Sequence, residues 1–409
     1  MSAPFAPPRG PVRKRALLIA AALLLLWLTA MAVLGRQTLT NLVVAGQPLP
    51  AAAANVGQPP PAVDPNAGQP PPAADPNVGQ PPPAADPNVG QPPPAVNPNG
   101  QPPTIQVFFA PPQPGDPDPI DQALLGLLQS AQVSVACAFY ELELPAAADA
   151  LIARHQAGVR VGIVSDSDYA DRPAVRRCIE AGIPVVFDER PAFMHDKFCV
   201  VDGRFVWTGS TNITENCMYR NNNNSLLIDS AELAKDYAAE FGEMFDTRRF
   251  GPGSPENTPF PEVTLSDGTR VECYFAPEDD AGTALARFAE SARERIDFAA
   301  FSFTSAELAD AMAVRMQAGV RVRGVFEKRG ANGTASKFKK LAGLGAVVRT
   351  DNNPASLHDK FLVVDSASVA TGSFNFSRNA DERNDENLLI VHNPEVARKY
   401  VGEVDRLMN

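Results

Sequence analysis

The C-terminal three quarters of this chain is one unit written twice, and that duplication constrains its fold more than any other feature. The segment VSVACAFYELELPAAADALIARHQAGVRVGIV, from Val133, matches IDFAAFSFTSAELADAMAVRMQAGVRVRGVF, from Ile296, in apolar pattern and partly in identity. Each copy reads as an apolar strand, a helix whose apolar residues recur at three and four, and AGVRV opening another strand. A second helix follows in each (Arg172 to Ala181; Ser336 to Leu344), then a short strand and a polar-rich segment. This alternation predicts an α/β fold with a largely parallel sheet in each half. The halves are residues 104–250 and 263–409, joined by the turn-rich connector GPGSPENTPFPE at 251–262.

The polar-rich segments carry the chemistry. HDKFCVVDGRFVWTGSTN, from His195 to Asn212, and HDKFLVVDSASVATGSFN, from His358 to Asn375, both fit H-x-K-x4-D-x6-G-S-x-N. At about one in twenty per position, six fixed residues recurring at the same place in both halves is not coincidence. Residues two apart on a strand share a face, so His195 points with Lys197, and His358 with Lys360. A neutral imidazole is a nucleophile and a protonated one an acid, while lysine offers a cation to a phosphate oxygen. Ser210 with Asn212, and Ser373 with Asn375, follow a glycine and lie two apart, so their donors can converge on the same oxygens. Two such half-sites facing each other would make one phosphate-binding site with a histidine on each side, as in-line displacement at phosphorus requires.

On these doubled motifs the chain resembles the phospholipase D superfamily of HKD phospholipases, nucleases and phosphatidyl transferases, across about residues 104 to 409. The resemblance implies two α/β halves related by a pseudo-two-fold axis, with His195 and His358 meeting in one cleft. One histidine would form a phosphohistidine and the other would protonate the leaving alcohol and then activate water. It implies no metal and no cofactor, and a monomeric catalytic unit, since both half-sites are in one chain. Asp202 and Asp365 match the family's motif aspartates and are expected to be structural, because strand alternation turns them from the histidine face.

The halves differ in two places. The second continues to NDENLLI, with Glu386 where the family often has an acid, whereas the first reads NNNNSLLI, placing Asn224 at the matching position. A carboxylate raises imidazole basicity and fixes its tautomer, whereas an amide mainly orients the ring. By the family's pattern Glu386 is expected to cross the interface to His195; the bland alternative is a solvated acid at a loop end. Residues 321–340 carry seven basic side chains against one acidic. They read either as a solvated loop and helix face or as a basic lip at the cleft.

Upstream of the repeat, the 40 prolines of the 409-residue chain are concentrated. Residues 35–103 form a linker in which GQPPPAVDPNA and its variants recur, a pattern that favours extended polyproline II and reads as a spacer. A ligand for proline-recognising domains is the alternative. Before it, a basic segment (1–15, with Arg13, Lys14 and Arg15) precedes the uncharged apolar run Ala16 to Leu34. That pattern predicts a single-pass cell-membrane anchor with the catalytic region extracytoplasmic, or a signal peptide cleaved after Ala30-Met31-Ala32 and a secreted product. The five cysteines show no disulfide framework and no ligand spacing for a metal.

The expected partner is an anionic phosphodiester, phospholipid or nucleic acid, together with a membrane bound through the N-terminal helix. The net charge of -11 argues against an extended duplex-binding surface. Release of a phospholipid headgroup to leave phosphatidic acid is the leading reading. An HKD nuclease is the alternative, with phosphatidyl transfer and a non-catalytic binding scaffold behind it. Apolar mouth loops would favour lipid; a long basic groove would favour nucleic acid.

Overall fold

Both halves fold around the same strand order. In the first the strands are β1 (Ile105–Ala110), β2 (Ser134–Phe139), β3 (Arg160–Ser165), β4 (Val185–Phe187), β5 (Lys197–Val201), β6 (Phe205–Gly209) and β7 (Asn223–Asp229). In the second they are β8 (Glu262–Thr264), β9 (Arg270–Ala276), β10 (Arg295–Ala300), β11 (Arg321–Phe326), β12 (Val347–Thr350), β13 (Lys360–Val364), β14 (Ser368–Gly372) and β15 (Glu386–His392). The sheets run β4-β3-β2-β5-β6-β7-β1 and β12-β11-β10-β13-β14-β15-β9-β8, so they match strand for strand with β8 added at one edge. The computed structural model describes residues 104–113 and 119–409. The basic segment, the expected anchor or signal and the proline-rich linker lie outside the described residues. Among the described residues no helix is long and apolar enough to cross a membrane.

The sheets are mixed, which corrects the expectation of largely parallel ones. Only β2–β3 and β3–β4, with β10–β11 and β11–β12 in the second half, pair in parallel. The remaining neighbours are antiparallel. The helical crossovers end at β4 and β12, and the chain then returns as a meander through the motif. Its first corner is a tight turn with left-handed φ at both central residues, 53° at Asp202 and 61° at Gly203, and 54° at both Asp365 and Ser366. Such turns suit the twist of paired antiparallel strands. The motif aspartates sit at this corner, at the far end of β5 and β13 from the histidines. The Asp202 carboxylate accepts the backbone N–H of Gln132, Val133 and Ser134 at 2.7–2.9 Å, and Asp365 accepts those of Arg293, Glu294 and Arg295 at 2.8–3.0 Å.

Three cores result. One outer core, with Phe139, Leu151 and Trp207, lies in the first half, and another, with Phe298, Leu308 and Phe326, in the second. The third is shared: Phe198, Tyr237, Phe275, Phe361 and Tyr400 pack together with the helices Ala231–Thr247 and Pro394–Met408. Each of these helices starts at a side-chain cap, Ser230 accepting from Leu233 N–H and Asn393 from Glu395 and Val396 N–H. Each then delivers a tyrosine to the junction.

That junction is a doubled polar lock. Asn224 Nδ2 donates to Asp359 (2.8 Å), and Asn224 Oδ1 accepts from Thr371 (2.7 Å) and Tyr400 (3.0 Å). With the halves exchanged, Asn387 Nδ2 donates to Asp196 (2.6 Å), and its Oδ1 accepts from Thr208 (2.7 Å) and Tyr237 (3.2 Å). Every contact has its reciprocal, the pattern that a two-fold relation generates.

Candidate active site

The reciprocal arrangement extends to the histidines, each of which stands just before its strand and is stitched by backbone to the other half. His195 N–H donates to Asp385 O (2.9 Å), and His358 N–H donates to Asn222 O (2.8 Å). This brings each ring to the first residue of the opposite half's last motif strand. His195 Nδ1 lies 2.7 Å from Glu386 Oε2, and His358 Nδ1 lies 2.8 Å from Asn223 Oδ1. An amide oxygen only accepts, so His358 carries its proton on Nδ1 and presents a lone pair at Nε2. The Asn223 amide is itself oriented, donating to Cys217 O (3.1 Å) and accepting from Ser210 Oγ (2.9 Å).

Glu386 therefore reaches His195 across the interface, but Asn224 does not orient a histidine. Matching the LLI of both halves slips the alignment by one residue. Strand pairing sets Leu226 opposite Thr208 and Leu389 opposite Thr371, so Asn223 corresponds to Glu386 and Asn224 to Asn387. A one-residue slip on a strand turns a side chain to the other face, and Asn224 accordingly points into the lock beneath the site.

The serines also differ from expectation. Ser210 and Ser373 are fully buried, and their hydroxyls are committed within the protein, Ser210 to Asn223 and Ser373 to Glu386 and Asn387 N–H. They hold the residues that hold the histidines rather than facing a phosphate. The motif glycine explains the placement: a Cβ on Gly209 or Gly372 would overlap the carbonyl oxygen of Asn224 or Asn387. Asn212 and Asn375 follow at the same sheet ends, and each keeps a buried Oδ1 without a partner. Their amides have bonding capacity unspent.

Both lysines are buried beside the rings. Lys197 Nζ donates to His195 O (2.5 Å) and lies 4.8 Å from the Tyr140 ring; Lys360 Nζ donates to His358 O (2.7 Å), 5.2 Å from the Phe301 ring. Burial pushes Lys197 down to about 8, partly offset by Glu386, and burial with the charge of Lys197 pushes Lys360 down to about 7. Burial and the two lysines hold both imidazoles well below their ordinary value. Burial raises Glu386 to about 7 against the pull of Lys197. The lysine of each half acts on the histidine of the other, which places all four groups in one site.

The rim is aromatic. Phe193 (39% exposed) and Tyr140 stand 6.3 and 4.7 Å from the His195 ring, and Phe301 (37% exposed) stands 4.8 Å from the His358 ring. Four of the seven basic side chains in 321–340 make contacts within the protein. Arg323 pairs with Asp297 and Asp405, Lys340 with Asp310, while Lys328 and Arg329 bind carbonyls of the loop leading to His358. That loop also reaches the first half, Asn353 Nδ2 donating to Asn222 Oδ1 (2.7 Å).

Sequence reasoning passed over Asp196 and Asp359, the residues between histidine and lysine, and their partners Asn387, Thr208, Thr371, Tyr237 and Tyr400. The signal was present, because HDK, the Thr-Gly-Ser threonine and the helix tyrosine all recur at a constant spacing of 163. Among the described residues one group of three side chains has metal-ligand proximity, Glu240, Glu243 and Glu278, and it contains neither histidine.

The family model described as cardiolipin synthase, PLD-like domain, matches the chain twice, over residues 124–245 and 285–408. Mitochondrial cardiolipin hydrolase from Xenopus tropicalis is 35% identical over 133 residues, covering 32% of this chain and 62% of that protein. A phospholipase D from Rickettsia conorii is 30% identical over 133 residues, covering 32% of this chain and 66% of its own length. The chain thus spans less than two thirds of the length of these relatives. Phosphatidylserine synthase from Haemophilus influenzae, 15% identical with a TM-score of 0.57, covers 77% of this chain and 87% of its own and shares the fold.

Proposed function

This chain belongs to the phospholipase D superfamily, and from that premise we propose that it hydrolyses a phospholipid at the headgroup ester, leaving phosphatidic acid, through a phosphohistidine on His195. The observation that carries this reading is the unequal backing of two otherwise matching imidazoles. When Nε2 of a histidine bonds to phosphorus, positive charge builds on the ring. The Glu386 carboxylate at Nδ1 of His195 stabilises that charge, whereas the Asn223 amide at Nδ1 of His358 supplies only a dipole.

In the first step Nε2 of His195 attacks phosphorus as the bond to the headgroup oxygen breaks, and His358 donates a proton to that oxygen. Burial leaves His358 neutral in the free protein, but an arriving phosphodiester anion raises its proton affinity. In the second step His358 takes a proton from water, whose oxygen attacks phosphorus and releases His195. The ammonium groups of Lys197 and Lys360 and the Nδ2 hydrogens of Asn212 and Asn375 are assigned to donate to the non-bridging oxygens, and Glu386 to back His195. The aromatic rim supports a lipid rather than a nucleic acid. We assign the N-terminal apolar run to tethering or exporting the enzyme, with the proline-rich linker as spacer.

The purified chain, assayed in EDTA against phosphatidylglycerol and cardiolipin vesicles and against single- and double-stranded DNA, tests this. Headgroup release with intact DNA is expected; DNA cleavage without lipid turnover would replace the reading with a nuclease.

A further inference from the structure

Strand register sets Cys137 of β2 directly opposite Cys199 of β5. Both side chains are fully buried in the outer core of the first half, and their Sγ atoms lie 2.9 Å apart. Directly opposed residues of an antiparallel pair have Cα atoms about 4.5–5.5 Å apart, inside the range of about 4.4–6.8 Å that a disulfide spans. Only a small closure separates the two sulfurs from a bond of about 2.05 Å. The second half gives the contrast, because at the equivalent opposed positions it has Phe298 and Leu362. Two large hydrophobes fill that core, while the first half has a cysteine at both places and none at only one.

We propose that Cys137 and Cys199 form a cross-strand disulfide in the native enzyme, made by thiol–disulfide exchange; this rests on the export reading of the N-terminal segment, since an oxidising compartment must supply the oxidant. One cysteine thiolate attacks a sulfur of the oxidant, glutathione disulfide or a disulfide oxidoreductase, and expels one thiol. The second cysteine then attacks the first across the mixed disulfide and expels the other. Two electrons and two protons pass from the pair to the oxidant, which leaves as two thiols. The exchange precedes closure of the core, because in the folded protein neither sulfur is accessible. The bond joins the strand that begins with Lys197 to the one that ends beside Tyr140, and so fixes the two sides of the Lys197–Tyr140 contact (4.8 Å). Cys178, Cys217 and Cys273 remain as thiols.

The test counts thiols. The full chain, recovered from an exporting host and denatured in N-ethylmaleimide, should take three labels before reduction and five after it, with the Cys137 and Cys199 peptides linked. The Cys199→Ala variant should take four without reduction. Reduction of the wild type should lower the melting temperature by on the order of 5 °C. A second sample, refolded in a glutathione redox buffer, separates the two premises. A link that forms there but not in the exporting host leaves the pairing standing and counts against export. Five labels without reduction in both samples, or a link mapped to Cys178, would overturn the pairing.

Discussion

Glu386 and Asn223 occupy one structural position in the two halves, but only Glu386 can carry a charge. Replacing Glu386 by Gln keeps the hydrogen bond to His195 but removes the charge that the phosphorylated ring needs. That change is expected to lower kcat by roughly 10²–10⁴ with KM little altered. Asn223→Ala should cost less, since His358 loses orientation and no counter-charge; steady-state kinetics of the two variants decide it. The titration of the site follows from the same groups. Burial and the two lysines hold His195 well below its ordinary value, so the acid limb of kcat/KM is set instead by Glu386, which burial raises to about 7 and which loses the charge backing His195 as pH falls through that value. Lys360, at about 7, and Lys197, at about 8, lose their charge as pH rises, so the alkaline limb begins near neutrality in the free enzyme. A narrow bell results, with both limbs belonging to the coupled histidines, lysines and Glu386 rather than to single residues. Activity still rising above about pH 9 would show that neither lysine charge is needed. At this scale the motif was readable because chemistry-bearing residue types recurred at fixed spacing. Asn223 was not, because NNNN is uniform and the apolar run beside it aligns equally well one residue out.

Among the elements, the hairpin corner that begins the return meander bears most on the site, because it sets the registers of β5 and β13. Burial works against the charged form of Asp202, but three backbone N–H groups outweigh it and hold the carboxyl below its ordinary value. The resulting stability is present above the unfolded pKa of about 3.9 and is lost as pH falls through the folded value. Asp202→Asn keeps a residue that tolerates left-handed φ, removes the charge and replaces the oxygen that accepts Gln132 N–H by an amide donor. It should destabilise the protein by about 1–2 kcal/mol at neutral pH, and the difference in chemical denaturation should narrow below about pH 4. An unchanged difference at low pH would mean that packing at the corner, not charge, holds it. Strands and helices were legible from apolar periodicity, which says where a strand lies but not which way its neighbour runs. The Asp-Gly step at 202–203 was the available sign of an antiparallel return, and the α/β alternation upstream outweighed it.

For the molecule as a whole, the doubled lock of Asn224 and Asn387 makes the halves interdependent. Removing the Asn224 amide strands Asp359, Thr371 and Tyr400 in a buried setting. Asn224→Ala should therefore cost about 3 kcal/mol or more, read as a fall in denaturation midpoint. It should also lower activity through His358, whose neighbour Asp359 loses its anchor. A surface-like cost below about 0.5 kcal/mol would show that the halves do not rely on this junction. The duplication made two similar halves legible. Their interlocking was not, because a sequence carries no direct record of which polar residues meet across an interface. The most direct test of the central claim, one site with unequal histidines, is to trap the intermediate in the full-length His358→Asn variant, using a phosphodiester whose leaving group needs no proton. Acid-labile phosphate is expected at no more than one per chain, mapped to His195 and absent from His195→Asn; an adduct on residue 358 of the His195→Asn variant, where His358 is intact, would overturn the assignment.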